Sequence, residues 1–480
     1  MQKLRFAEKF NYGLGDLSAN IMFSAINFYL LYFFVNVGGL NAGLAGVIFI
    51  IARVWDAVTD YFMGRISDKT VSKYGKRRVY MLFGAVPYGL SFVLLWLTPF
   101  GENMQAAKFV YYTLAYMLYN TTWTVVYIPY SALTANITDN YDERTSLNGV
   151  KIALANVGII LGAALFSLFA EGTGSLFYAA LGSVKKAYAL AGAVFGAVAM
   201  IIMFICAYNV KERFESSETN DKPFFKTLKE FFKLKEFRNT MAYYLLSMVG
   251  FDIIMAVFMF FINYSLNFGA NPDSLMGMIF VAIPLVMAIL TAALWVKLSE
   301  KFQKHKVYLA ACVYMFVVLL FAVIVPAENV LTTVLLCVFA GAGMSAIQIL
   351  PYASVPDVVE VDEYVNGVRR EGAYYGITQF MYKIASGVSV ALVSLILELC
   401  GYVESDTGEF IQQIPSALTA IRIVLGVIPG VIFLVSVIFA YRANMNRDRY
   451  EKILAELEAR KAGNAAATDT ESIGSTAELR

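Results

Sequence analysis

The run Asn41-Ala-Gly-Leu-Ala-Gly-Val-Ile-Phe-Ile-Ile-Ala-Arg53-Val-Trp-Asp56-Ala-Val-Thr-Asp60-Tyr-Phe-Met63 is long and apolar enough to cross a bilayer as a helix, yet three of its residues are charged. Arg53 and Asp56 are three residues apart, and Asp56 and Asp60 four, so a helix sets all three on one face. An ionisable group inside a membrane helix costs roughly 2.5–3.5 kcal/mol on insertion scales and is rarely kept without a use. Two carboxylates one turn apart repel unless something positive lies beside them. A bound Na⁺ or H⁺ fits, because hard cations prefer oxygen ligands. The other reading is an ion-pair network that locks this helix to its neighbours.

Similar runs fall near 11–36, 41–63, 79–99, 107–134, 147–170, 186–208, 240–265, 275–298, 307–325, 330–355, 373–399 and 417–441, which predicts twelve transmembrane helices. The split between the ninth and tenth is marked by Pro326-Ala-Glu-Asn329. The whole chain is 59% hydrophobic and 15% charged over 480 residues, with mean hydropathy +0.62. Soluble domains carry ~25% charged residues, so an ordinary soluble enzyme is excluded. Aromatic residues reach 15%, as suits bilayer interfaces and solute cavities. A net charge of +2 gives no footing for nucleic acid. His305 is the one histidine, which removes His-based metal sites and catalytic triads. Cys206, Cys312, Cys337 and Cys400 form no CxxC pair and read as small hydrophobes. The first apolar run is too long for a signal-peptide core and has no small-residue cleavage pattern.

Lys and Arg set the orientation. With the N-terminus in the cytoplasm, 31 of the 38 fall in inside segments, four outside, and Arg53, Lys151 and Lys383 within helices. Both termini are therefore expected inside the cell membrane. The stretch 211–238 divides the chain, giving an N-terminal bundle over 1–210, a cytoplasmic middle loop with a surface helix, a C-terminal bundle over 239–442 and a tail over 443–480. The tail reads as a short amphipathic helix over 446–463 followed by polar disorder.

The fourth helix ends in Tyr127-Ile-Pro-Tyr-Ser-Ala-Leu133 and the tenth in Ile349-Leu-Pro-Tyr-Ala-Ser-Val355. Pro-interrupted helices at matching places point to the substrate path of a transporter built from repeats. Charged residues follow each turn. Arg144 after the first, and Asp357 and Glu360 after the second, are candidates for gating, together with Asp16, Arg53 and Lys383. Asn120, Thr124 and Tyr127 share a face of the fourth helix with Trp123 beside them; Asn20, Gln348 and Gln379 are further polar positions in apolar runs. Amides, hydroxyls and ring faces suit a polyol ligand, while hydrogen bonding between helices accounts for the same residues without one. Asp16 is placed to pair with a base such as Arg53. Lys383, mid-helix, calls for a carboxylate from the other half. Asp252 is either a solute contact or a partner for Lys383. The basic loop 64–78 anchors to anionic lipid or forms ion pairs that hold one state.

These motifs resemble the glycoside–pentoside–hexuronide:cation symporters of the major facilitator superfamily, whose best-known type is the melibiose permease. The resemblance spans residues from about 8 to 445. It is carried by Tyr12-Gly-x-Gly-Asp16, Ala52-Arg-Val-Trp-Asp-Ala-Val-Thr-Asp60, Tyr127-Ile-Pro-Tyr130, Asp142-Glu-Arg-Thr145 and Lys383. It implies an all-α membrane protein with twelve helices in two six-helix bundles. It implies a coupling cation, Na⁺ or H⁺, on Asp56 and Asp60 with oxygen from Thr124 and Thr59 nearby, Lys383 linking the halves, and Lys151 as a base near the sugar. Departures matter. Thr59 stands where the permease has an amide ligand, Asn20 and Tyr127 where it grips the galactoside with carboxylates, and Ser131 where a tryptophan stacks on the sugar. The α-galactoside specificity is therefore not carried over, and Na⁺ against H⁺ stays open. The expectation is a monomeric multi-pass symporter with no cofactor, whose partners are a sugar-type solute, a cation and the lipid bilayer. The alternative is a carrier of lysolipids or other amphiphiles. No nucleophile or metal motif suggests an enzyme.

Overall fold

The computed structural model describes residues 4–457 except 102, 134–136, 138–140, 172, 214–223, 271–273, 368–370, 406–409, 444–451 and 454; at 61, 65, 68, 141, 142, 144, 145, 224, 225, 270, 274, 275, 300, 371 and 372 it describes the backbone alone. Among the described residues the chain is helical throughout, with no strand. Eleven helices are long and apolar enough to span a membrane. They are α1 (Phe6–Asn36), α2 (Ala42–Lys69), α3 (Arg78–Leu95), α5 (Ser146–Ala170), α6 (Val184–Asn209), α7 (Lys235–Ser265), α8 (Ser274–Lys301), α9 (Lys304–Ile324), α10 (Val330–Tyr352), α11 (Glu371–Leu399) and α12 (Pro415–Arg442). The twelfth expected span is present as α4 (Gln105–Ala132), of full length but too polar to count by hydropathy. Its tyrosines, threonines and Asn120 cause the shortfall, and of these Tyr116, Tyr119, Asn120 and Tyr127 face the cavity described below.

Local chemistry sets the helix ends. Asn41 caps α2 by accepting from the amides of Gly43 and Leu44 at 3.0 and 3.3 Å. Asn329 caps α10 by accepting from Thr332 N at 3.1 Å, and this fixes the α9–α10 break where the sequence places it. A π-turn interrupts α1 at Ile26–Leu30 and α5 at Leu161–Leu165, and another ends α7 at Phe261–Ser265. Prolines lie inside α3, α4, α8 and α10.

Within the first six helices, α1 packs on α5 and α6, α3 on α4 and α6, and α2 on α4. Small residues permit this. A Cβ added at Gly158 of α5 would stand 2.7 Å from the carbonyl oxygen of Leu17 on α1, and one at Gly89 of α3 would stand 2.8 Å from that of Gly196 on α6. In the last six, α7 packs on α12, α11 and α10, α8 on α10, and α9 on α12 and α10. Between the two sets, α2 runs against α11, and α8 against the end of α5.

Contacts between the sets are unequal along their length. At the end where α1 turns into α2, Asn36 Oδ1 accepts from the hydroxyls of Tyr264 (3.1 Å) and Tyr402 (2.8 Å), and Asn263 Nδ2 donates to Glu171 at 2.8 Å. Tyr32 packs edge-on against Phe260 at 5.5 Å. Along the α2–α11 seam, Gly46 meets Ala391 and Ser394, then Gly387 meets Phe49 and Arg53. Further on, no atom lies within 4 Å of where a Cβ would stand at Gly64 or Gly376. The two helices have splayed apart, so the fold is closed at one end and open between α2 and α11 at the other.

At the open end, the middle stretch forms a helix at Phe224–Phe231, and Phe231 stacks on Tyr374 of α11 at 3.8 Å. Glu212 accepts from the backbone amides of Lys76, Arg77 and Arg78, a carboxylate seated at the start of α3. The tail helix expected over 446–463 falls largely outside the described residues; 452–453 and 455–457 are helical, and Ile453 and Leu457 pack near Val361.

Candidate functional site

A cavity of about 400 Å³ lies where α2 and α11 begin to part. Its walls come from four helices. α1 supplies Ala19, Asn20, Phe23 and Ile26, and α2 supplies Arg53, Asp56 and Asp60. α4 supplies Tyr116, Tyr119, Asn120, Trp123, Tyr127, Ile128 and Ser131, and α11 supplies Gln379, Tyr382 and Lys383. The volume suits a ligand of one or two sugar rings.

Lys383 is the electrostatic centre. Only 8% exposed, its ammonium lies 2.8 Å from Asp56 Oδ2 and also pairs with Asp60. One cation from the last six helices thus joins two carboxylates from the first six. Asp56 is 2% exposed, and an unpaired charge there would be costly. The Thr124 hydroxyl is 2.7 Å from Asp60 Oδ1 and 3.1 Å from Asp56 Oδ1. It has one proton, so it donates to one carboxylate at a time and leaves a lone pair toward the other. Thr59 stands behind, donating to the backbone oxygen of Asp56 at 3.0 Å, with its hydroxyl 3.5 Å from that of Thr124. Four carboxylate oxygens and a hydroxyl converge, a donor set that fits a hard cation once the ammonium moves away. Among the described residues no three His, Cys, Asp or Glu side chains group to hold a metal, so such an ion would share its shell with hydroxyl, backbone or solute oxygens.

The ammonium also lies 4.9 Å above the ring of Trp123, which stacks on Tyr127 at 4.4 Å and 22°. The pair is an aromatic stack in the cavity wall, called the platform below.

Asp16, near the platform, accepts from the Tyr127 hydroxyl at 3.1 Å and lies 3.5 Å from Lys151 Nζ. Its ionic partner is therefore Lys151 rather than Arg53. Neither lines the cavity; they form a neutral pair that fixes the hydroxyl of Tyr127. Asn20 donates to the carbonyl of Asp16 at 2.8 Å, and Asn120 to that of Ala52 on α2 at 2.9 Å, so both amides hold backbone while lining the cavity. Arg53 donates to Asn27 at 3.4 Å.

Other expected positions are elsewhere. Gln348 on α10 is not part of the cavity wall. Asp357 pairs with Lys304 at 2.8 Å, and Glu360 follows it on the helix Val355–Asn366; both lie away from the cavity. The Arg144 side chain lies outside the described residues. Asp252 meets neither Lys383 nor the cavity; it accepts from the Tyr382 hydroxyl at 3.3 Å. The sequence reading omitted Tyr116, Tyr119 and Tyr382. The first two continue the Asn120–Trp123–Tyr127 stripe back one turn at helical spacing, which is the signal that would have found them.

A cavity with four charged residues in its wall, set between two sets of six helices, is the arrangement of a membrane solute carrier. Comparison makes the class specific: the chain belongs to the MFS/sugar transport protein family, matched over residues 11–447. It is 29% identical to a putative sulfoquinovose importer of Escherichia coli, covering 96% of this chain and 95% of that protein. It is 26% identical to the isoprimeverose transporter of Lactiplantibacillus pentosus, covering 97% and 94%. Its fold matches the inward open xylose transporter XylE from E. coli with a TM-score of 0.61 at 12% identity, covering 94% of this chain and 99% of XylE. The protein is a multi-pass membrane transporter and not an enzyme.

Proposed function

We propose that the protein imports a sugar-type solute together with a cation, the carboxylates of Asp56 and Asp60 holding the cation and the Trp123–Tyr127 platform the sugar. The observation that carries this reading is the double ion pair of Lys383 with Asp56 and Asp60 across the two sets of helices. A cation that takes the carboxylates displaces the ammonium and cuts a bond between the halves. Cation binding and the rocking of the halves are thereby linked, as alternating access requires. The relatives named for sugars support the solute class. The aromatic platform and amides favour a polar ligand over a lysolipid. Thr124 and the two carboxylates suit Na⁺ by donor type, and H⁺ serves the same displacement.

The protein works as a monomer in the cell membrane, with 1–210 and 239–442 as the moving bundles, and the termini and 211–238 in the cytoplasm. The open end of the cavity, beside the middle helix, then faces inward. Labelling of single cysteines in intact cells with an impermeant reagent should mark position 103, exposed between α3 and α4, and spare position 216; the reverse pattern overturns this orientation. The function itself is tested in proteoliposomes with labelled glycosides under imposed Na⁺ or H⁺ gradients. Concentrative uptake that collapses when the gradient is dissipated is expected; uptake indifferent to both gradients sinks the symport reading.

A further inference from the structure

Glu171 follows the last turn of α5 at the closed end and is buried there. Its Oε2 accepts from the Ser167 hydroxyl one turn back. Its Oε1 accepts from Asn263 Nδ2 of α7 at 2.8 Å, so this carboxyl ties the two sets of helices together. α8 closes over it: a Cβ added at Gly277 would stand 2.9 Å from Ser167 Oγ and 3.4 Å from Glu171 Oε2. Glu171 is not part of the cavity wall, so it is separate from the carboxylates of Asp56 and Asp60.

The groups around it are neutral. Tyr29 and Tyr32 of α1, Tyr188 of α6 and Tyr264 of α7 stand within electrostatic reach, and phenols are uncharged at neutral pH. The bases of this end serve elsewhere. Arg422 of α12 donates to Ser265 and to the carbonyl of Val323, and Lys108 of α4 donates to the carbonyl of Gly39. Among the described residues no Lys or Arg pairs with Glu171, whereas Asp16, Asp56 and Asp60 each have a lysine. Two neutral donors offset the lost hydration only in part, and burial pushes the Glu171 carboxyl above the usual carboxylate range. A proton on Oε2 turns toward the Ser167 oxygen and leaves the Asn263 bond intact, so the neutral form keeps its contacts. Parting the halves at this end breaks that bond and lets water reach the carboxyl.

We propose that Glu171 is a proton-binding latch of the closed end: a proton held there favours the sealed form, and its loss favours opening. The sealed form binds the proton more tightly than the hydrated, parted form. Acid therefore stabilises the seal, and the bias fades as pH rises through the sealed-state value. On the orientation proposed above, on which this last step rests, that end faces outward. External acid then biases the carrier toward its inward-open form, whichever ion loads Asp56 and Asp60.

The test reads the seal itself. Spin labels on cysteines at positions 103 and 327, exposed between α3 and α4 and between α9 and α10, report the separation of the halves at that end by pulsed electron paramagnetic resonance. The full-length chain is used, without its four native cysteines. Rising pH should add a longer distance, the ratio of sealed to parted molecules falling by up to about tenfold per pH unit, the limit for one proton. Glu171→Gln keeps the hydrogen-bonding atoms and cannot ionise; it should stay sealed across the range, while Glu171→Asp should still respond. A separation indifferent to pH in the chain that retains Glu171 overturns the latch, and so does an equal response in Glu171→Gln. In proteoliposomes of known insertion, the response should follow the pH on the side away from 211–238. A response to the pH of the other side overturns the orientation and leaves the latch standing.

Discussion

α4 and α10 hold matching places in the two sets of six helices, and both carry a Pro-Tyr turn near the open end, at Pro129-Tyr130 and Pro351-Tyr352. Their faces differ. α4 turns a stripe of rings and the Asn120 amide into the cavity from Tyr116 to Ser131. α10 contributes nothing to that wall and spends its small residues on packing: a Cβ at Gly341 would meet Pro284 of α8, one at Gly343 would meet Met315 of α9, and the carbonyl of Ala342 accepts from Trp295 Nε1 at 2.7 Å. The same helix position thus serves chemistry in one half and rigidity in the other. The cavity's rings and the carboxylates of Asp56 and Asp60 are concentrated in the first six helices, and the last six reach the cavity through α11, chiefly by Lys383.

Four substitutions probe that asymmetry. The largest effect is expected on the first half: Asp60→Cys should abolish accumulation against a gradient while downhill exchange survives, since concentrative transport needs ~1–3 kcal/mol of coupling between the two ligands. Uptake assays in energised and de-energised vesicles measure it, and normal accumulation would make the carboxylates structural. Next comes the one charge from the other half. In Lys383→Ala the cation should bind as well or better, because its competitor is gone, while coupling is lost. Calorimetry on both ligands decides, and a defect confined to the solute would make Lys383 a direct sugar contact instead. The smallest effect is expected on α10. Gln348→Ala should leave solute affinity within about twofold, against a loss of roughly 1–3 kcal/mol for Tyr127→Ala, whose ring completes the platform and whose hydroxyl is fixed by Asp16. Equal losses at the two positions would dissolve the contrast between α4 and α10.

Much of this was readable in the residues. Charges in α2 and α11 stand out because apolar surroundings make them expensive, and their helical spacing places Asp56 and Asp60 on one face without coordinates. The break before α10 was legible in Asn329, a capping residue following proline. What the sequence concealed is tertiary. Nothing local distinguishes Gln348, outside the cavity, from Gln379, in its wall, since each is one amide in an apolar helix. The seal formed by Asn36 with Tyr264 and Tyr402 joins residues 228 and 366 positions apart. For Asp16 the sequence suggests a base such as Arg53; the packing of α5 on α1 brings Lys151 there instead.

The polarity of α4 has a consequence for how the protein is made. A segment enters the bilayer from the translocon when its summed transfer free energy is favourable, and tyrosine, threonine and asparagine work against that sum. α4 falls short of the hydropathy at which its eleven companions count as spans, so the helix that lines most of the cavity is the one lipid accepts least readily alone. α3, which packs along it, and α2, whose Ala52 carbonyl receives the Asn120 amide, offer partners that precede α4 in synthesis. The helices that satisfy the polar face of α4 are thus already made when it leaves the ribosome, and α11 with its lysine is not.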